Sequence, residues 1–160
     1  MGIWVQNVAE PQSVVLTRAR IDGNNGVGVG VSGSTRGFIF RRSSVLNTIL
    51  QDVPAESGGA LIGSTSIGDG FVWRDNSTVT MDSIAFSGNE RASVLIDGPA
   101  EGSIVNVHLS GGDEEKGIVI QNLGKKDVSP TVSDGTPSPS TLKTEAFAVP
   151  AAPERLERNL

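Results

Sequence analysis

The chain contains no cysteine and no tyrosine. Without cysteine it has no disulfide, no thiol nucleophile and no thiolate metal ligand, and its redox compartment stays open. Basic residues are also scarce: 13 Lys and Arg stand against 18 Asp and Glu, a formal charge of -5. That balance argues against a nucleic-acid partner, which would normally meet a basic surface. No run of about 18 apolar residues occurs, so no membrane span is expected. No stretch shows 10 to 12 residues of helical periodicity either, so helices are not expected. Met1 leads directly into alternating apolar residues rather than a signal peptide. A solenoid normally opens on a capping unit, so a chain opening on a working repeat is expected to be a piece of a longer protein.

What the sequence does have is glycine, 20 in 160 residues, and a pattern that recurs. A chain of this length suits one domain with its own core. Apolar residues stand at Ile3, Val5, Val14, Leu16, Ala19 and Ile21, and adding 24 reaches Val27, Val29, Phe38, Phe40, Ser43 and Val45. A second pair repeats at 23, carrying Phe71, Trp73, Val79, Met81, Ile84 and Phe86 to Val94, Ile96, Gly102, Ile104, Val107 and Leu109. Ile118 and Ile120 begin another round. A fixed period in this range marks a repeat architecture.

Within a round, apolar residues sit two apart, which is strand periodicity, and the step of three from Leu16 to Ala19 reads as a corner. Rounds close on turn residues such as Asp22-Gly23-Asn24 and Ser87-Gly88-Asn89. Asn24 and Asn89 take matching turn positions and are expected to be structural. Same-direction strands without crossover helices stack as a parallel β-helix, with coils about 4.8 Å apart. The fold expected is all-β, a right-handed parallel β-helix of about four to five coils over residues 1–124, followed by an extended Pro/Ser/Thr-rich tail over 125–160. The tail either stays extended or packs back on the helix.

Between 46 and 70 the register fails. The loop Asp52 to Gly59 marks an insertion, either a binding loop or a tolerated one, and spacing alone does not choose its pairing. The outward positions raise a further question. Trp4, Gly28, Val72, Leu95 and Val119 form one outward column, and Val15, Ile39, Thr80 and Ser103 a second. So apolar an outside is expected to be covered by the tail, to meet other copies of the chain as in a homotrimer, or simply to reflect the apolar habit of parallel sheets.

The segments Gly2 to Asn7, Arg20 to Val29 and Lys116 to Asn122 resemble right-handed parallel β-helix repeats of the pectate-lyase-like superfamily, which includes polysaccharide lyases, polygalacturonases, phage tail spikes and bacterial surface proteins. The resemblance covers residues 2 to 123 and lies in the repeat, not in a catalytic motif. It implies an extracellular or cell-surface protein that meets polysaccharide; fold by itself does not carry function. The polygalacturonase elements that the family would supply are missing, and the single histidine, His108, alternates outward beside Asn106.

Coil stacking sets Arg18 over Arg42, with Arg20 and Arg41 close by. Two guanidinium groups at coil spacing repel unless an anion lies between them, so this patch either grips a uronate or sulfate or is a solvated face paired with Asp22 or Asp82. Trp4 is able to stack on a sugar ring or to pack beneath a covering segment. Asp75 and Asp97 follow equivalent strands and are weak candidates for a Ca²⁺ site, against the ordinary role of turn aspartates in binding backbone amides. No catalytic residue is assigned and no cofactor is expected beyond that calcium. Two functions follow: a non-catalytic secreted or surface module, structural or glycan-contacting and able to self-associate, or a fragment of a lyase or hydrolase acting on acidic polysaccharide.

Overall fold

The computed structural model describes residues 1–57, 60–110, 117–121, 130–132, 142–143 and 149–150. Among them there is no helix, and the strands stack as a parallel β-solenoid of about four turns. The first coil runs through β1 (Ile3–Gln6), β2 (Val14–Thr17) and β3 (Arg20–Asp22), and the second through β4 (Val27–Ser32) and β5 (Phe38–Leu46). A hairpin follows, β6 (Gln51–Ser57) and β7 (Ala60–Ile67), and then β8 (Asp69–Arg74) and β9 (Thr78–Ser87) make the third coil. β10 (Ala92–Asp97) and β11 (Glu101–Ser110) make the fourth, and β12 (Ile118–Gln121) begins the next. Short strands β13 (Pro130–Val132), β14 (Leu142–Lys143) and β15 (Val149–Pro150) lie in the tail.

Two sheets run the length of the solenoid. One has the order β1-β4-β8-β10-β12-β14, the other β13-β11-β9-β5-β2 with β3 also on β5. Inward residues from both fill one core, including Val29, Val31, Phe38, Phe40, Phe71, Trp73, Met81 and Ile104, all at most 1% exposed. Phe40 and Phe71 stack with ring centroids 5.9 Å apart, one coil above another.

The corners are built by left-handed residues in columns. Arg18, Arg42, Ser83 and Asn106 have φ between 48° and 60° and interrupt equivalent strands, so the step of three marks a real corner. Asn7, Gly33, Asp75 and Gly98 form a second column, and Gly23, Asn47 and Gly88 a third. A left-handed residue turns the chain sharply without adding length, which lets every coil bend at the same place.

The interval of 23 holds throughout: Phe71 pairs with Val94, Met81 with Ile104 and Phe86 with Leu109. The interval of 24 holds from Val14 to Phe38 and from Ile21 to Val45. It fails for β1, where Ile3 pairs with Val29 and Val5 with Val31. The connection from Val5 to Val14 is two residues longer than that from Val31 to Phe38, so the shift is two and the inward set survives. The outward partner of Trp4 is accordingly Gly30, not Gly28.

The disputed stretch is not a coil. β4 pairs directly with β8 and β5 with β9, while β6 and β7 pair with each other antiparallel. The insertion is therefore a hairpin leaving the solenoid at one corner. Pieces of the tail extend the main sheets, β13 beside β11 and β14 beside β12, and β15 runs antiparallel to β6. The outward apolar column is buried within a single copy: Val72, Leu95 and Val119 are fully buried, clustered with Val27, Ile67 and Ala92 and flanked by Trp4.

Candidate functional site

Arg18 and Arg42 occupy the first two places of one corner column, and both are exposed. The strand register sets Thr17 beside Arg41, and the Arg18 N–H donates to the Arg41 carbonyl at 3.1 Å, so the two coils stay in step through the corner. Arg at a left-handed backbone position is uncommon, since short polar residues and glycine are favoured there. The same column continues with Ser83 and Asn106.

The surrounding carboxylates divide the patch. Arg20 donates from Nε to Asp22 Oδ2 at 3.1 Å and also makes an ion pair with it through Nη2, so this arginine is committed to its own strand. Asp22 also accepts from Asn47 Nδ2 at 2.9 Å. The Asn47 amide, with the Arg20 guanidinium, holds the Asp22 carboxyl below its usual range. Asp82 lies beside Arg41 in register and accepts from Asn106 Nδ2 at 3.1 Å and Ser83 Oγ at 2.9 Å. Those two hydrogen bonds, with smaller contributions from the charges of Arg41 and Arg42, hold Asp82 low as well. Among the described residues Arg18, Arg41 and Arg42 have no carboxylate within ion-pair distance. The corner is a cationic ridge, and the acid beside it in register, Asp82, is held by the Asn106 amide and the Ser83 hydroxyl.

The other candidates separate. Trp4 is half-buried, donates from Nε1 to Ser32 Oγ at 3.0 Å and lies over Gly30, where a Cβ would come within 2.1 Å of its ring. Asp75 and Asp97 belong to adjacent coils, and the Asp75 N–H donates to the Asp97 carbonyl at 3.0 Å. Their carboxylates nonetheless have different partners: Asp75 accepts from the Gly33 N–H at 2.8 Å, and Asp97 from Gln121 Nε2 at 2.9 Å. Gly98, not Asp97, is level with Asp75, because Asp97 pairs with Arg74. Among the described residues no three His, Cys, Asp or Glu side chains group as metal ligands. His108 is exposed and sits beside Ala85. Asn89 is buried and structural, accepting from the Thr48 N–H at 3.2 Å and donating to the Val45 carbonyl at 3.3 Å.

Two buried arginines were not singled out by sequence spacing. Arg91 makes a two-pronged ion pair with Asp69, from Nε to Oδ1 at 2.8 Å and from Nη2 to Oδ2, at the base of the hairpin. Burial pushes the Asp69 carboxyl up, and Arg91 and the Ala92 N–H oppose that shift. Arg74, on the outward face of β8, donates to the Pro150 carbonyl at 2.6 Å and so ties β15 to the third coil. Of the insertion loop, residues 58–59 lie outside the described residues. At its base Ser66 Oγ donates to Asp52 Oδ1.

Comparison with protein-family models, with curated proteins and with solved structures found no match. The class of the molecule is thus given by its architecture: a parallel β-solenoid with an inserted hairpin and a cationic corner.

Proposed function

We propose that this chain is a non-catalytic β-solenoid module of a secreted or surface-displayed protein, and that its cationic corner contacts acidic glycan. The observation that carries this reading is the pair Arg18 and Arg42, exposed at one left-handed corner position on consecutive coils of a chain that is acidic overall. Two guanidinium groups one coil apart repel in the free protein, and a carboxylate or sulfate between them relieves that repulsion through charge-assisted bonds. Arg41 adds a third cation, and Arg20 anchors the rim through Asp22. The resemblance to pectate-lyase-like repeats supports a polysaccharide partner, and the extracellular setting rests on that resemblance as well. A surface grip of this kind needs no catalytic group.

The test is retention of the whole chain in gels cast with polygalacturonate, a sulfated polymer or neutral dextran. Retention by the acidic polymers alone, weakened by salt and by Arg18→Ser/Arg42→Ser, supports the reading. Equal retention of wild type and double variant, or none at all, overturns it. Appearance of an ultraviolet-absorbing unsaturated product from polygalacturonate would turn the assignment to a lyase fragment.

A further inference from the structure

We infer that the acidic glycan held at the corner carries its charge on isolated groups with neutral sugar units between them, and that Asp82 enforces this spacing. The inference rests on the glycan-contacting reading above and adds the pattern of charge that the partner must have.

The corner column changes chemistry halfway along. Register places Arg42 over Arg18, Ser83 over Arg42 and Asn106 over Ser83, and all four residues are exposed. The outward column just before the corner runs Thr17, Arg41, Asp82 and Val105. The first two coils therefore present Arg18, Arg41 and Arg42, and the next two present a hydroxyl, an amide and the carboxylate of Asp82. A ligand that touches Arg18 and Arg42 together sits between them or runs along the solenoid axis. A polymer so directed passes from the cations onto Asp82, Ser83 and Asn106, one coil of about 4.8 Å at a time.

Asp82 is built to keep its charge. Its carboxyl accepts from Asn106 Nδ2 at 3.1 Å and from Ser83 Oγ at 2.9 Å, and hydrogen bonds to the charged form favour that form. It is level with Arg41, yet among the described residues no ion pair joins the two. A fixed negative charge thus stands one coil beyond the cations, well inside the Debye length of about 8 Å. A second acidic group following the first at coil spacing would lie against it and be repelled. A neutral sugar meets the same place differently. Its hydroxyls donate to a carboxylate, and the Ser83 hydroxyl and Asn106 amide add further hydrogen-bonding groups alongside. The column therefore fits an acidic unit followed by neutral ones.

Electrophoresis of the whole chain through gels holding carboxymethyl-dextran tests the inference, with the polymer substituted on few of its sugars or on nearly all. At equal concentration of carboxymethyl groups, the sparse polymer should hold wild type about fourfold more strongly, the effect of one unit repulsion at coil spacing in near-aqueous surroundings. Asp82→Asn keeps the side-chain shape and removes the charge. It should tighten binding to the dense polymer about fourfold more than to the sparse one. Glu101→Gln makes the same change of charge away from the corner, level with Thr78, and supplies the background. Should Asp82→Asn fail to fold by circular dichroism, the wild-type comparison of the two polymers decides by itself. Equal retention of wild type by sparse and dense polymer overturns the inference and leaves the glycan reading standing. So does an Asp82→Asn shift that matches Glu101→Gln on both polymers. Retention of wild type by neither polymer overturns both.

Discussion

Asn47 donates its side-chain amide to Asp22 one coil below, at 2.9 Å, and Asn106 does the same to Asp82, at 3.1 Å. In both cases the asparagine occupies a left-handed corner and the aspartate directly precedes one, at Gly23 or Ser83. The corner thus does two jobs: it turns the chain and stitches neighbouring coils.

The two stitches set an acid limit. Both carboxyls sit below their ordinary value of 3.8, chiefly through their asparagine partners. The unfolded chain therefore takes up protons more readily than the folded one. Stability from these pairs is complete above the unfolded value and is lost as pH falls through the lower folded values. Urea midpoints of the chain and of Asn47→Gly/Asn106→Gly, taken from about pH 6 to about pH 2.5, check this, with glycine preserving the corner backbone. The double variant should lose less on acidification than the parent. Identical profiles would show that the stitches carry no linkage.

Arg91→Met leaves the Asp69 carboxylate buried without its partner. Loss of about 3–5 kcal/mol in urea unfolding is expected, the usual result of breaking a buried pair from one side. Asp69→Leu/Arg91→Met should recover most of that loss, since it removes both charges together.

Gly102→Ala should be among the most damaging single-methyl changes in the chain. A Cβ there would lie 1.8 Å from the Val79 carbonyl oxygen of the coil below, at φ +150°. About 2–3 kcal/mol or more is expected, the upper range for forced overpacking. Gly23→Ala is the control: its φ is +64° with nothing within 4 Å of the new Cβ, so only the left-handed penalty of about 1–2 kcal/mol applies. Thermal denaturation of the two variants should rank them in that order.

Replacing residues 52–66 by a short Asn-Gly turn should leave the solenoid folded, because neither β4–β8 nor β5–β9 pairing uses the hairpin. The segment at Val149–Pro150 should lose protection from amide exchange, as its strand partner β6 is gone. Collapse of the circular dichroism strand signal would show instead that the hairpin supports the third coil.

Much of this architecture was legible because each inward residue repeats at the interval that strand stacking imposes. The parity break between Leu16 and Ala19 located the Arg18 corner, and the interval of 24 set Arg42 beside it. The slip of two at β1 was hidden because a shift of two preserves the alternation, and only the three-dimensional register distinguishes Val27 from Val29 as the partner of Ile3. The insertion was legible from the failed register, but its hairpin pairing was not, because Val53-Pro54-Ala55 and Ala60-Leu61-Ile62 are short apolar runs with no alternation to set a partner. The pairs Asp69–Arg91 and Arg74–Pro150 could not be read from local pattern, being 22 and 76 residues apart with only one pairing near the repeat length. A signal did exist for the first, since Asp69 is level with Ala92, the neighbour of Arg91.

The parallel ladders also give the molecule a mechanical direction. Strand hydrogen bonds join one coil to the next, so a pull on Met1 along the solenoid axis strains the β1–β4 bonds before those deeper in the stack. The chain should come apart as a coil of rope pays out, turn by turn from the pulled end. A pull across the strands, with the load shared by a whole ladder at once, should meet much greater resistance.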